Sequence, residues 1–91
     1  MNDEEQVRRA ERAKRIVDDP LWTEAWAIYR NRLMDVIDKA DSANVELVMH
    51  AKRLLAASKA AQQHMTTILQ DGAISAATIE MQKQQKKSRT N

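Results

Sequence analysis

The amino-acid sequence predicts an all-α protein, and three observations carry that expectation. The 91 residues include one Gly and one Pro, too few to furnish the turns of a sheet-rich fold. The aromatic residues are Trp22, Trp26 and Tyr29, whereas strands draw on aromatic and β-branched side chains. Two long segments repeat apolar residues at alternating spacings of four and three, the seam of one helix packed along another. The chain has room for one small domain at most. With no Cys, a disulfide framework, a thiol nucleophile and a cysteine zinc site are all excluded.

The first helix is expected from Asp3 to about Val17. Asp3, Glu4 and Glu5 suit the positive end of a helix, and Arg12, Lys14 and Arg15 the negative end. Val7, Ala10, Lys14 and Val17 form a stripe too thin to hold it down unaided, so it is expected to be partly formed, or ordered only by docking. Asp18-Asp19-Pro20 then breaks the chain, because the residue before a proline avoids the α region. Asp19 caps the next helix and Pro20 takes its first position, where a missing N–H costs nothing. That second helix should run to about Ala40 on the seam Trp22, Trp26, Tyr29, Leu33, Val36 and Ala40. Asp41-Ser42-Ala43-Asn44 supplies the next set of caps. A third helix follows from about Asn44 to Asp71, with Leu47, Ala51, Leu54, Ser58, Ala61, Met65 and Ile68 repeating the spacing. Gly72 reads as its left-handed terminator. Beyond it, Ile74, Ala77, Thr78 and Met81 allow a short fourth helix, and residues 82–91, with no apolar side chain, are expected to be a flexible basic tail. The expected division is therefore a charged helix over 1–19, a helical core over 20–72, and a short helix with tail over 73–91.

A short loop between the second and third helices folds them back as an antiparallel helical hairpin. In that register the bulky Trp22, Trp26 and Tyr29 meet the small Ala56, Ala57, Ala60 and Ala61, and Val36 and Ile37 meet Leu47 and Val48, near the loop. Trp22, Trp26, Tyr29, Leu33, Leu47, Leu54, Leu55 and Met65 are the expected core and self-association residues. The third helix carries apolar residues on more than one side, a surplus that points to a homo-oligomer.

The 15 basic and 13 acidic residues leave a net charge of +2, too even to name nucleic acid as a partner by itself. The positive excess is concentrated late in the chain, where Lys83, Lys86, Lys87 and Arg89 face only Glu80 in sequence. These four, unopposed and mobile, are the candidate residues for contact with nucleic acid or an acidic protein surface. Arg8, Arg9, Arg12, Lys14 and Arg15 alternate with Glu4, Glu5 and Glu11, as on a solvated, salt-bridged helix. His50 and His64 lie about 20 Å apart along one helix and read as surface histidines. No phosphate loop, nucleophile elbow or metal-ligand spacing is present. The expectation is a non-enzyme without metal or cofactor. No apolar run approaches the roughly 20 residues of a membrane span, and the first residues lack a secretory pattern, so an intracellular protein is expected.

DDPLWTEAWAIYRNRLMDVID (residues 18–38) followed by HAKRLLAASKAAQQHMTTILQDG (residues 50–72) resembles small tailed-phage helical-hairpin proteins of the head and packaging gene cluster. The shared pattern is an acidic-Pro-Leu-aromatic helix start, a long helix with Leu pairs and an ending of the form Leu-x-Asp-Gly, within about residues 10–80. Phage small terminase subunits are similar in size and architecture. That resemblance implies a non-catalytic oligomer in the host cytoplasm, which recognises double-stranded DNA or recruits the large terminase motor. Residues 1–19 are too short for the helix-turn-helix that small terminases often carry. DNA contact would then fall to the oligomer surface or to Lys83, Lys86, Lys87 and Arg89. The alternative is a small phage-encoded adaptor or inhibitor that binds a host or virion protein through one helix face.

Overall fold

The computed structural model describes residues 1–89, with side chains through Lys87. Among the described residues the regular structure is all helical: α1 (Asp3–Val17), α2 (Pro20–Lys39) and α3 (Val45–Arg89). Each helix starts on a polar side chain that takes up an otherwise unpaired N–H. Asn2 Oδ1 accepts from the Glu5 N–H at 2.8 Å, Asp19 Oδ1 from Leu21 at 2.9 Å, and Asn44 Oδ1 from Leu47 at 3.3 Å. Between α2 and α3 the Asp41 carboxylate accepts from Ala43, and the Asp41 carbonyl from Asn44, so the connection is one tight polar turn.

The largest departure from expectation is the length of α3. Gly72 does not end the third helix: it lies inside α3, buried, with no positive φ. In place of the separate fourth helix and the flexible tail expected over 82–91, the helix continues through Arg89, and residues 90 and 91 lie outside the described residues. The physical reason is that Ala73 to Lys87 contains no Pro or further Gly and is rich in Ala, Gln and Lys, all strong helix formers. Gly72 serves close approach instead. A Cβ added there would lie 2.1 Å from Ala10 Cβ and 3.2 Å from the Gln6 carbonyl oxygen.

The contacts divide the chain into two units, Met1–Ile16 with Met65–Asn91, and Val17–His64. In the first unit α1 lies on α3 at Gly72, with Ala13 buried and Val7 and Ala10 partly so. Ser75, one turn beyond Gly72, is 1% exposed. Its hydroxyl lies 2.9 Å from Asp3 Oδ1 and also bonds the Gln6 side-chain amide. A hydroxyl carries one proton, so it donates to one of these oxygens. Turning the Gln6 amide lets its NH2 donate to Oγ while Ser75 donates to Asp3. The charged α1 is thus docked on α3 through one close backbone approach and one polar clasp.

In the second unit Leu33 of α2 and Ala51 and Ser58 of α3 are buried. The buried Ser58 hydroxyl donates to the Leu55 carbonyl of its own helix at 2.8 Å, which satisfies it without a partner from α2. Small side chains at these positions leave room for rings from the facing helix.

Candidate interaction surfaces

Trp22, Trp26 and Tyr29 stand in succession on one side of α2. Trp22 and Trp26 meet edge to face with centroids 5.5 Å apart and planes at 80°; Trp26 and Tyr29 do so at 6.3 Å and 78°. Such T-shaped pairs favour the ring quadrupoles and stiffen the row. Trp26 borders two depressions. One, of about 400 Å³, is lined by Trp26, Tyr29, Leu54, Ala57, Ser58 and Ala61. The other has Trp22, Trp26 and Arg30 on α2 opposite Leu55, Ser58 and Gln62 on α3. The rings share this ground with Ala57, Ser58 and Ala61, whereas Ala56 and Ala60, also expected beneath them, do not line it; all four alanines are exposed.

The eight expected core residues separate in the structure. Leu33 is buried; Trp22, Trp26, Leu54, Leu55 and Met65 are half-buried. Tyr29 and Leu47 are exposed, Leu47 by 40%. Met65 belongs to the first unit and the aromatic row to the second. Next to the turn, Ile37 and Val48 are half-buried while Val36 is exposed. The aromatic row is thus a half-open ledge rather than a closed core.

The basic residues occupy the last turns of α3 rather than a tail. Lys83 and Lys86 line a cleft of about 590 Å³ with Asn2, Asp3 and Glu4 from the start of α1. They are not unopposed: the acidic first turn of α1 shares their cleft. Lys87 is exposed on the same helix, and Arg89 lies within α3 with its side chain outside the described residues. Cations at the end of a helix also offset the partial negative charge of its last carbonyls, so α3 itself accounts for part of this charge. Sequence reasoning missed both this shared cleft and Ser75. The available signal was the pair of small residues, Gly72 and Ser75, three apart on one face of a helix.

His50 and His64 are both exposed. Among the described residues no three His, Asp or Glu side chains are gathered in a way that could hold a metal ion, and no helix is long and apolar enough to cross a membrane. Comparison with protein-family models, curated proteins and solved structures finds no match to this chain.

Proposed function

We propose that this chain is a non-catalytic, self-associating helical protein that acts as a phage DNA-packaging component, in the manner of a small terminase subunit. The observation that carries the self-association is the exposure of large apolar side chains on α2: Leu21 is 65% exposed and Ile28 43%, with Tyr29, Met34 and Val36 also open. Uncovered apolar side chains in such number mark an interaction site. The interior is thin, since among the described residues the buried apolar ones are Ala13, Leu33 and Ala51. A chain of this size with so small a core gains stability by associating.

Within this reading, α2 and the first part of α3 form the antiparallel hairpin that presents the interface. The succession of Trp22, Trp26 and Arg30 opposite Gln62, Ser58 and Leu55 supports it. Lys83, Lys86, Lys87 and Arg89 meet DNA or the large terminase motor, and the resemblance in residues 18–38 and 50–72 supports the packaging context. Light scattering tests the central claim. A discrete particle of several subunits is the expected result, and a monomer at all concentrations overturns it. The exposed face of α2 also fits the adaptor reading, in which it docks on a single host or virion protein. A monomer that binds no DNA and co-purifies with one such protein would establish that role instead.

A further inference from the structure

α2 carries two seams. Trp22, Trp26, Leu33 and Ile37 make the inner one. Leu21, Ala25, Ile28, Arg32 and Val36 follow spacings of four, three, four and four, and at 100° per residue fall in an arc of about 80° beside it. All five are exposed. Leu21, Glu24, Ala25, Ile28, Tyr29 and Arg32 border one shallow depression on this helix alone. Among the described residues, none from another helix lines it.

From this pattern we infer that α2 packs antiparallel against α2 of a second copy of this chain, about a two-fold axis passing between Ile28 and Tyr29. The inference rests on the self-association proposed above and names the surface that performs it. A two-fold interface must be complementary to itself, with each contact made twice. Under an axis between residues 28 and 29, Leu21 meets Val36 of the other copy, Ile28 meets Tyr29, and Ala25 meets Arg32. The methyl of Ala25 leaves space for the Arg32 stem to lie along the partner helix, which carries the guanidinium to Glu24 beside it. Two Arg–Glu pairs therefore flank an apolar centre, the arrangement that sets register and orientation between helices. A parallel pairing would place Arg32 against Arg32 and Glu24 against Glu24, and like charges exclude it. The charges thus select a second copy, antiparallel, over an unrelated apolar helix.

The sequence has no Cys, so introduced thiols report proximity without background. Leu21→Cys mixed with Val36→Cys should form a disulfide-linked heterodimer in the full chain, while each variant alone should not. Arg32→Glu and Glu24→Arg should each weaken association about tenfold in sedimentation velocity, and the double variant should restore it. These positions are exposed, and unchanged circular dichroism verifies that the helices persist. Self-linking of Leu21→Cys means a parallel pair and overturns the inference. Association indifferent to both charge reversals also overturns it, while leaving self-association through another surface standing. A monomeric wild type removes both proposals together. A wild type that stops at a dimer keeps the α2 pairing and removes the several-subunit particle.

Discussion

Gly72→Ala provides the sharpest test of how the first unit is held together. In an unobstructed helix this substitution stabilises by about 1 kcal/mol, because alanine loses less backbone entropy and no strain is introduced. Here the new Cβ would stand 2.1 Å from Ala10 Cβ, against the roughly 3.5–4.0 Å at which carbon atoms attract. Ala10 Cβ is fixed to the backbone of α1 and has no rotamer to move into. The two helices must separate by about 1.5 Å, measured against that contact distance, which also loosens Ser75 from Asp3 and Gln6. Overpacking of this kind costs about 1–3 kcal/mol, and set against the propensity gain leaves a net loss of up to about 2 kcal/mol.

Urea denaturation at a fixed protein concentration measures this loss, and amide hydrogen exchange over residues 3–17 locates it in α1. Ala10→Gly supplies the control. Alone, it should destabilise by about 1 kcal/mol through helix propensity. Combined with Gly72→Ala it removes the clash, leaving the Gln6 carbonyl at 3.2 Å and the residue 10 Cα at 3.5 Å as the nearest atoms. The double variant should therefore be more stable than Gly72→Ala alone, a reversal of sign that independent sites cannot produce. Gly72→Ala raising stability by about 1 kcal/mol, with exchange in α1 unchanged, would refute the close crossing.

Other substitutions probe the remaining contacts. Ser75→Ala should cost about 1.5–3 kcal/mol, the net worth of a hydrogen bond to a charged group, and speed exchange in the first turn of α1 while sparing α2. Trp26→Ala should cost about 2 kcal/mol, below the 3–5 of a fully enclosed ring because Trp26 is half-buried; a thermal-melt loss near zero would mean the ledge contributes nothing to the fold. Asn44→Ala should lose about 1 kcal/mol by removing the acceptor for the Leu47 N–H, seen as fraying at the start of α3. If the end of α3 meets DNA, Asp3→Asn with Glu4→Gln should strengthen salt-sensitive retention on a DNA column, and Lys83→Gln with Lys86→Gln should weaken it. Retention that follows neither pair removes these lysines from DNA contact.

The helical class, the break at Asp18-Asp19-Pro20 and the cap positions were legible because each depends on chemistry within a few residues. Asp19 followed by proline specifies a helix start wherever it is placed, and the observed bond to Leu21 realises it. The end of α3 was not legible in the same way. A glycine in a periodic stretch satisfies two physical demands, a left-handed terminus or a close helix approach, and Gly72 answers the second. What separates them is the side chain of Ala10, sixty-two positions away. The charge of the last turns of α3 was misread for a parallel reason. Lys83 and Lys86 are unopposed over their neighbours in sequence, yet Asp3 and Glu4 reach the same cleft through the fold.

The same asymmetry governs both units and explains why the candidate interface lies where it does. At the helix contacts the chain places Ala13, Gly72 and Ser75 in one unit and Ala51 and Ser58 in the other. Only Leu33 is both large and buried among the described residues. Small residues let backbones approach, but each removes little apolar area from water, and hydrophobic stabilisation scales with that area. The larger side chains that would ordinarily fill a core, Leu21, Ile28, Leu47 and Met49 among them, are exposed instead. These four lie in the second unit, where the buried positions of α3 are the small Ala51 and Ser58. On the proposed self-association, a second copy supplies their burial, and the contact stabilises the fold as well as creating the functional surface. Folding and assembly should be coupled: diluting the protein should lower its melting temperature, and a charge at Ile28 should lower it further while slowing no step confined to α1. A melting temperature independent of concentration would separate the two processes and leave the exposed face of α2 to a different partner.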